Sequence, residues 1–223
     1  MNVLLSFACF KPWLWQYQPT FRRVLIDWGG YTELRTGTVI DVSEFKEWSE
    51  QWRDHADAIA GCDDIAGDWR KSLANYQRIP WTFPTIHDSD PSELLPELVA
   101  IAQERKTWLG IGLVPPREGK ESFVRWVVEN VPEDLHLHGW ALRRFTHIRR
   151  LNSVDSTNWW RDAMKIRQQL SWLTYGEALD LMVKKYQRWT RVIHKEINQH
   201  GLFHEEQLAP TEAEGLLEVV NLV

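Results

Sequence analysis

The chain has 223 residues, with 26 Lys and Arg against 31 Asp and Glu, a formal net charge of −5, and 43% hydrophobic and 26% charged residues. That size fits one large domain, the balance is that of a globular protein, and no apolar run is long enough to span a bilayer. Two cysteines, Cys9 and Cys62, exclude a disulfide framework and a four-cysteine zinc site and suit a reducing cytosol.

Taken in chain order, short β-like runs alternate with helical patterns. The start, "MNVLLSFACFKPW", lacks a basic n-region and a small-residue cleavage site, so a cytoplasmic protein is expected. Residues 2–8 and 23–28 read as strands. Asp41 opens a helix as N-cap, with Glu44 at capping-box spacing and Phe45, Trp48, Trp52 and Ala56 following at helical intervals. A buried strand over 57–64, a helix over 68–79, a strand over 81–87 and a helix over 90–105 come next, the last taking Pro91 in its first turn. Strands at 107–113, 134–140 and 151–155 alternate with helices at 120–131, 141–148 and 158–170, and a longer helix spans 176–198. Fourteen tryptophans supply packing area, with a few available as base-stacking surfaces.

Strand–helix alternation with short connections predicts a parallel sheet covered by helices. The first expectation is a small (β/α)8 TIM-type barrel and the second a doubly wound open sheet. Seven strands are clear, and the C-terminal "GLLEVVNLV" is either the eighth or a docked tail. One domain is expected over 1–223, with its core in 1–170 and a helical extension over 171–223.

In a barrel, chemistry collects at the carboxyl ends of the strands. Those ends carry Asp27, Asp63 with Asp64, His87, the Gly110/Gly112 pair, His138 and Asp155. A lone aspartate there is often a helix cap, but a series of polar strand ends exceeds what capping requires. In "LIDWGGYTEL", Gly29 and Gly30 allow close backbone approach, Tyr31 offers a flat ring and Asp27 an acceptor, together a seat for a planar heterocycle or, alternatively, a tight turn. His136 and His138 face one side of a strand, but without an obvious third ligand no metal is expected. Charge is uneven: residues 141–195 carry +8, residues 196–223 carry −6 and the first 140 carry −7. A basic block in an acidic chain points to a localised polyanion-binding face, with Arg143, Arg144, Arg149 and Arg150 as its candidates.

Several of these segments resemble the tRNA-guanine transglycosylase superfamily. "VLIDWGGYTEL" is similar to its DSGGY/DSGGF segment, "ADAIAGCDD" to its second strand-end aspartate motif, "GIGLV" to its base-binding glycine loop and "LHLHGWAL…LNSVDSTNWW" to its MGVG…GVDMFD region. The similarity is closer to the DNA-modifying branch, the 7-deazaguanine DNA transglycosylases of phages and bacterial genomic islands, and runs in collinear order from residue 3 to about 165. The resemblance implies Asp155 as nucleophile, Asp27 and Asp63 as base-recognising carboxylates, Tyr31 as stacking ring, and Gly110 and Gly112 as backbone contacts. His87 falls where the tRNA enzymes have a base-binding glutamine, and His138 where they have a methionine beside the base. Trp28 replaces a serine, and neither the zinc subdomain nor the RNA-binding domain has a counterpart, which points away from tRNA and from zinc.

The implied activity is exchange of a DNA guanine for a 7-deazaguanine, expected as the 7-cyano form, a modification that evades restriction. No cofactor is expected beyond the 7-deazaguanine co-substrate. The implied partner is single-stranded or locally opened DNA, with no membrane, and with a second copy or a helper protein left open. The alternatives are a tRNA-directed transglycosylase, a catalytically inactive barrel that binds nucleic acid or a protein, and a hydrolytic glycosidase with the same carboxylates.

Overall fold

The computed structural model describes residues 2–10, 23–65, 67–115, 119–142, 150–156, 165–170 and 217–222, with isolated positions between 172 and 181. Eight strands lie within these residues: β1 Asn2–Ser6, β2 Arg23–Asp27, β3 Ala58–Ile59, β4 Thr85–His87, β5 Leu109–Gly112, β6 Leu137–Gly139, β7 Ser153–Ser156 and β8 Leu217–Leu222. All named pairs are parallel, in the order β3-β2-β1-β8-β7-β6-β5-β4. The outer strands of that order, β3 and β4, are joined just beyond β3 by one parallel bridge, Ala60 to Phe83. Phe83 N–H donates to Ile59 O at 2.8 Å and Gly61 N–H to Phe83 O at 2.9 Å. The chain is therefore a mixed α/β protein built on one parallel sheet.

The described helices are α1 Gly30–Thr36, α2 Val42–Glu50, α3 Trp69–Arg78, α4 Leu95–Glu104 and α5 Glu121–Glu129, with residues 165–169 also helical. Asp41 caps α2 as its sequence predicts, accepting from the N–H groups of Ser43 (2.6 Å) and Glu44 (3.2 Å), and Asp68 caps α3 in the same way. Helix α1 is absent from the sequence reading, because its two leading glycines argue for a turn. The strand expected over 81–87 begins only at Thr85, since Pro84 has no N–H to give the ladder. The helix expected over 90–105 starts as a 3-10 turn, Ser92–Leu94, before α4. Most of each expected helix over 141–148, 158–170 and 176–198 lies outside the described residues.

The C-terminal residues correct the expected domain plan. β8 inserts between β7 and β1, with Val3 opposite Val220 and Asp155 opposite Val219. The stretch 171–223 is thus not a purely helical extension, since its last strand joins the two halves of the sheet.

The period of two along each strand sends alternate side chains to opposite faces. Val3, Leu5, Val24, Ile26 and Ile59 pack against Phe45 and Trp52 from α2 and the turn after it. Ile86, Ile111, Leu137 and Val154 pack against α4 and α5 through Leu95, Leu98, Val124 and Val127. The alternate residues Leu4, Leu25, Ala58, Ala60 and Phe83 form a separate cluster with Trp108 and Trp140. Burying each of these large side chains stabilises the fold by about 1.5–3 kcal/mol. At the amino ends of the strands, Arg105 donates to the carbonyls of Tyr76 and Thr82, and Arg150 to those of Pro132 and Leu135. These guanidiniums anchor the loops that lead into β4 and β6.

Candidate functional site at the strand carboxyl ends

β2 ends in Asp27, directly opposite Ser6 at the end of β1. Asp27 keeps some contact with solvent, yet its pKa is raised to about 7. Desolvation is the largest cause; the Gly29 N–H and the Ser6 hydroxyl oppose it, and the charges of Asp63 and Asp155 add to the rise. Those two charges acting on one carboxyl are the electrostatic sign that three strand-end aspartates share one region. A carboxyl with a pKa near neutrality can both give and take a proton at physiological pH.

Asp63 follows β3 and is buried. Its Oδ1 accepts the indole N–H of Trp28, and its Oδ2 lies 3.0 Å from Nε2 of His87. On its other side His87 Nδ1 is 3.7 Å from Asp90 Oδ2, and that same oxygen accepts the His87 backbone N–H at 2.7 Å. Burial alone would lower the His87 pKa, but the hydrogen bonds to Asp63 and Asp90 overrule it and raise the value to about 9. His87 is therefore an imidazolium held between two carboxylates. Asp63 and His87, both singled out as base contacts, meet each other directly.

The glycines have local reasons. Gly29 sits at φ +103° as the N-cap of α1, and a Cβ there would collide with Ala8 Cβ. A Cβ on Gly30 would meet the Trp28 ring, so the small residue leaves room for the indole that reaches Asp63. A Cβ on Gly112 would strike the His87 imidazole, and one on Gly110 would strike Thr85 and Trp140. The Trp140 indole N–H donates to Thr85 Oγ1 at 3.0 Å, and its ring stacks on Phe83 at 6.0 Å. Tyr31 lies on α1 and is 45% exposed, with the Arg35 guanidinium 5.9 Å from its ring centre. That exposure is what a stacking platform requires.

β7 delivers Asp155, which is buried. Its Oδ1 accepts the backbone N–H of Ala141 and lies 3.9 Å from Nε2 of His138. Ala141 adopts φ +52°, an uncommon conformation for a residue with a Cβ. His138 is fully buried in β6, and its Nδ1 is 2.9 Å from Ser153 Oγ. Burial, with a small contribution from His136, pushes its pKa down to about 3, so the ring is neutral.

Of the four arginines expected to face phosphate, Arg143, Arg144 and Arg149 lie outside the described residues. Arg150 is at the amino ends of the strands, bonded to Pro132 O, Leu135 O and Asn152 Oδ1. That places it at the end of the sheet away from Asp155. Among the described residues no group of three His, Cys, Asp or Glu is arranged to hold a metal, and His136 and His138 both turn to Ser153 Oγ. Also among them, no helix is long and apolar enough to cross a membrane.

Trp28, Asp90, Ala141 and Ser153 belong to the site without having been picked from the sequence. Asp90 carries a faint local signal, three residues after His87 in "HDSD". The other three act through contacts across the sheet and have none. Comparison with protein-family models, with curated proteins and with solved structures found no match.

Proposed function

We propose that this protein exchanges guanine for a 7-deazaguanine in DNA, with the 7-cyano base as the entering species, through a glycosyl ester on Asp155. One observation carries the proposal: Asp27, with a pKa of about 7, feels the charge of Asp155 across the strand ends. Two neighbouring carboxyls in different environments divide naturally into a proton carrier and a nucleophile. The motif resemblance around "SVDSTNWW" supplies the reaction class. Taking the Ala60–Phe83 bridge as the seam that closes eight parallel strands, the scaffold is a (β/α)8 barrel with these carboxyls at its catalytic rim.

The chemistry balances with these residues alone. The Asp155 carboxylate attacks C1′, the bond from C1′ to N9 breaks, and protonated Asp27 gives its proton to the departing guanine. The entering base then loses its N9 proton to Asp27 and attacks C1′, and the electron pair of the ester bond returns to Asp155. Tyr31 stacks on the extruded base, and the Asp63–His87 pair holds the wall of the pocket.

Nucleoside mass spectrometry of DNA and tRNA from cells expressing the wild type and Asp155→Asn tests the proposal. A 7-deazaguanine nucleoside in DNA, lost in Asp155→Asn, is the expected result. Its appearance in tRNA alone would move the substrate to RNA. No modified nucleoside in either polymer, with 7-deazaguanine supplied, would remove the reaction.

A further inference from the structure

His138 Nε2 is a fully buried polar atom without a hydrogen-bond partner. A buried unpaired ring nitrogen loses its hydration with nothing in return, so its presence calls for a reason. The ring is walled by Phe83, Trp108 and Trp140, with Trp140 edge-on at 4.4 Å, so it has little room to turn elsewhere. It faces Asp155 Oδ1 at 3.9 Å, the nearest charged group to it and just beyond a direct hydrogen bond.

Behind the ring runs a chain of polar atoms. His138 Nδ1 is 2.9 Å from Ser153 Oγ, and the same oxygen is 3.2 Å from His136 Nε2. Burial holds both histidines neutral, His136 at about 4 and His138 at about 3, so each carries one ring N–H. The serine hydroxyl has one proton and two lone pairs, so it either relays a proton direction from one ring to the other or accepts from both rings. In one relay direction, His136 Nε2–H donates to Ser153, Ser153 donates to His138 Nδ1, and His138 Nε2–H points at Asp155. In the other, every donor is reversed and a nitrogen lone pair faces the carboxylate. Accepting from both rings again leaves a lone pair on His138 Nε2.

Electrostatics separates these arrangements. An ionised Asp155 attracts an N–H and repels a lone pair. At the far end, Arg23 and Arg150 lie close enough to His136 to lower its pKa, and positive charge there favours the lone-pair end of the chain. We propose that the chain His136–Ser153–His138 is oriented toward Asp155, so that His138 is a positioning residue whose Nε2–H joins the Ala141 N–H on Oδ1. This deepens the proposed reaction and rests on it for its kinetic consequence. When the entering base attacks C1′ and the ester bond breaks, the electron pair returns to Asp155, and two N–H groups already face the oxygen that receives charge.

Long-range ¹⁵N–¹H NMR of the wild-type protein labelled at histidine nitrogen reads the tautomer without any substrate. The expected spectrum at pH 7 shows His138 with a protonated-type Nε2 and an unprotonated-type Nδ1. Ser153→Ala should turn that single tautomer into a mixture and lower the rate of ester resolution about tenfold, one hydrogen bond's worth, with base binding unchanged. An Nδ1–H tautomer, or an imidazolium at pH 7, would overturn the orientation even in an active enzyme. The Nε2–H tautomer in a protein that exchanges no base would leave the chain standing and remove the reaction instead.

Discussion

The Asp27 carboxyl gives a test that requires no substrate. Its pKa rises from 3.8 to about 7 on folding, so the folded protein holds a proton there that the unfolded chain releases. Below about pH 4 both states are protonated and Asp27 contributes nothing to the pH dependence. Between about 4 and 7 the folded state binds more protons, so stability falls as pH rises, and above 7 the full cost of the buried charge is present. At 1.36 kcal/mol per unit, the rise corresponds to roughly 4 kcal/mol, reduced to about 2 because Asp27 keeps some solvent contact. Asp27→Asn removes the charge while preserving shape and an acceptor for the Gly29 N–H. The variant should match wild type near pH 4 and exceed it by about 2 kcal/mol at pH 8, a gain of roughly 4–8 °C in melting temperature for a chain of this length. Urea unfolding of both proteins at pH 4.5, 6, 7 and 8 measures the difference directly. A difference that stays flat across that range would refute a raised Asp27 pKa and remove its role as proton carrier. A stabilised variant that also loses exchange would show a carboxyl kept for function at the expense of the fold.

His87 loses stability in the same direction with pH but for the opposite reason, because its charged form is the one the fold favours. Its folded pKa of about 9 lies above its ordinary 6.5, so its stabilisation is complete below pH 6.5 and lost as pH rises through 9. His87→Gln should therefore cost about 3 kcal/mol at pH 6 and markedly less at pH 10, measured by urea unfolding at both values. Gly29→Ala places a Cβ at φ +103° against Ala8 and should destabilise by about 2–4 kcal/mol in thermal melts, whatever the protein binds. Arg150→Ala releases the Pro132 and Leu135 carbonyls and should lower stability by about 2–3 kcal/mol in urea. The salt dependence of its DNA binding should stay as in wild type; a slope flattened by about one unit would instead put Arg150 on a phosphate.

Periodicity and capping are carried by residues a few positions apart, which is why the alternation of parallel strands with helices, the Asp41 cap and the placing of Asp27, His87 and Asp155 at strand ends were legible in the sequence. Each depends on a repeat of two or 3.6 residues or on a single turn. Which strand end faces which depends on ladder order, and that arises from contacts between residues far apart in the chain. The sequence offered Asp63 and His87 as two separate base contacts. Only the meeting of β3 and β4 across the Ala60–Phe83 bridge made them an ion pair, with Trp28 on the remaining oxygen. Gly30 allows close backbone approach or a turn by sequence and the resemblance makes Gly112 a backbone contact, but tertiary packing sets the Trp28 and His87 rings where a Cβ on each glycine would be. The last strand shows the same division. "LLEVVNL" is β-forming wherever it lies, but its place between β7 and β1 was decided by the unpaired edges those strands would otherwise expose, a long-range requirement that no local pattern encodes.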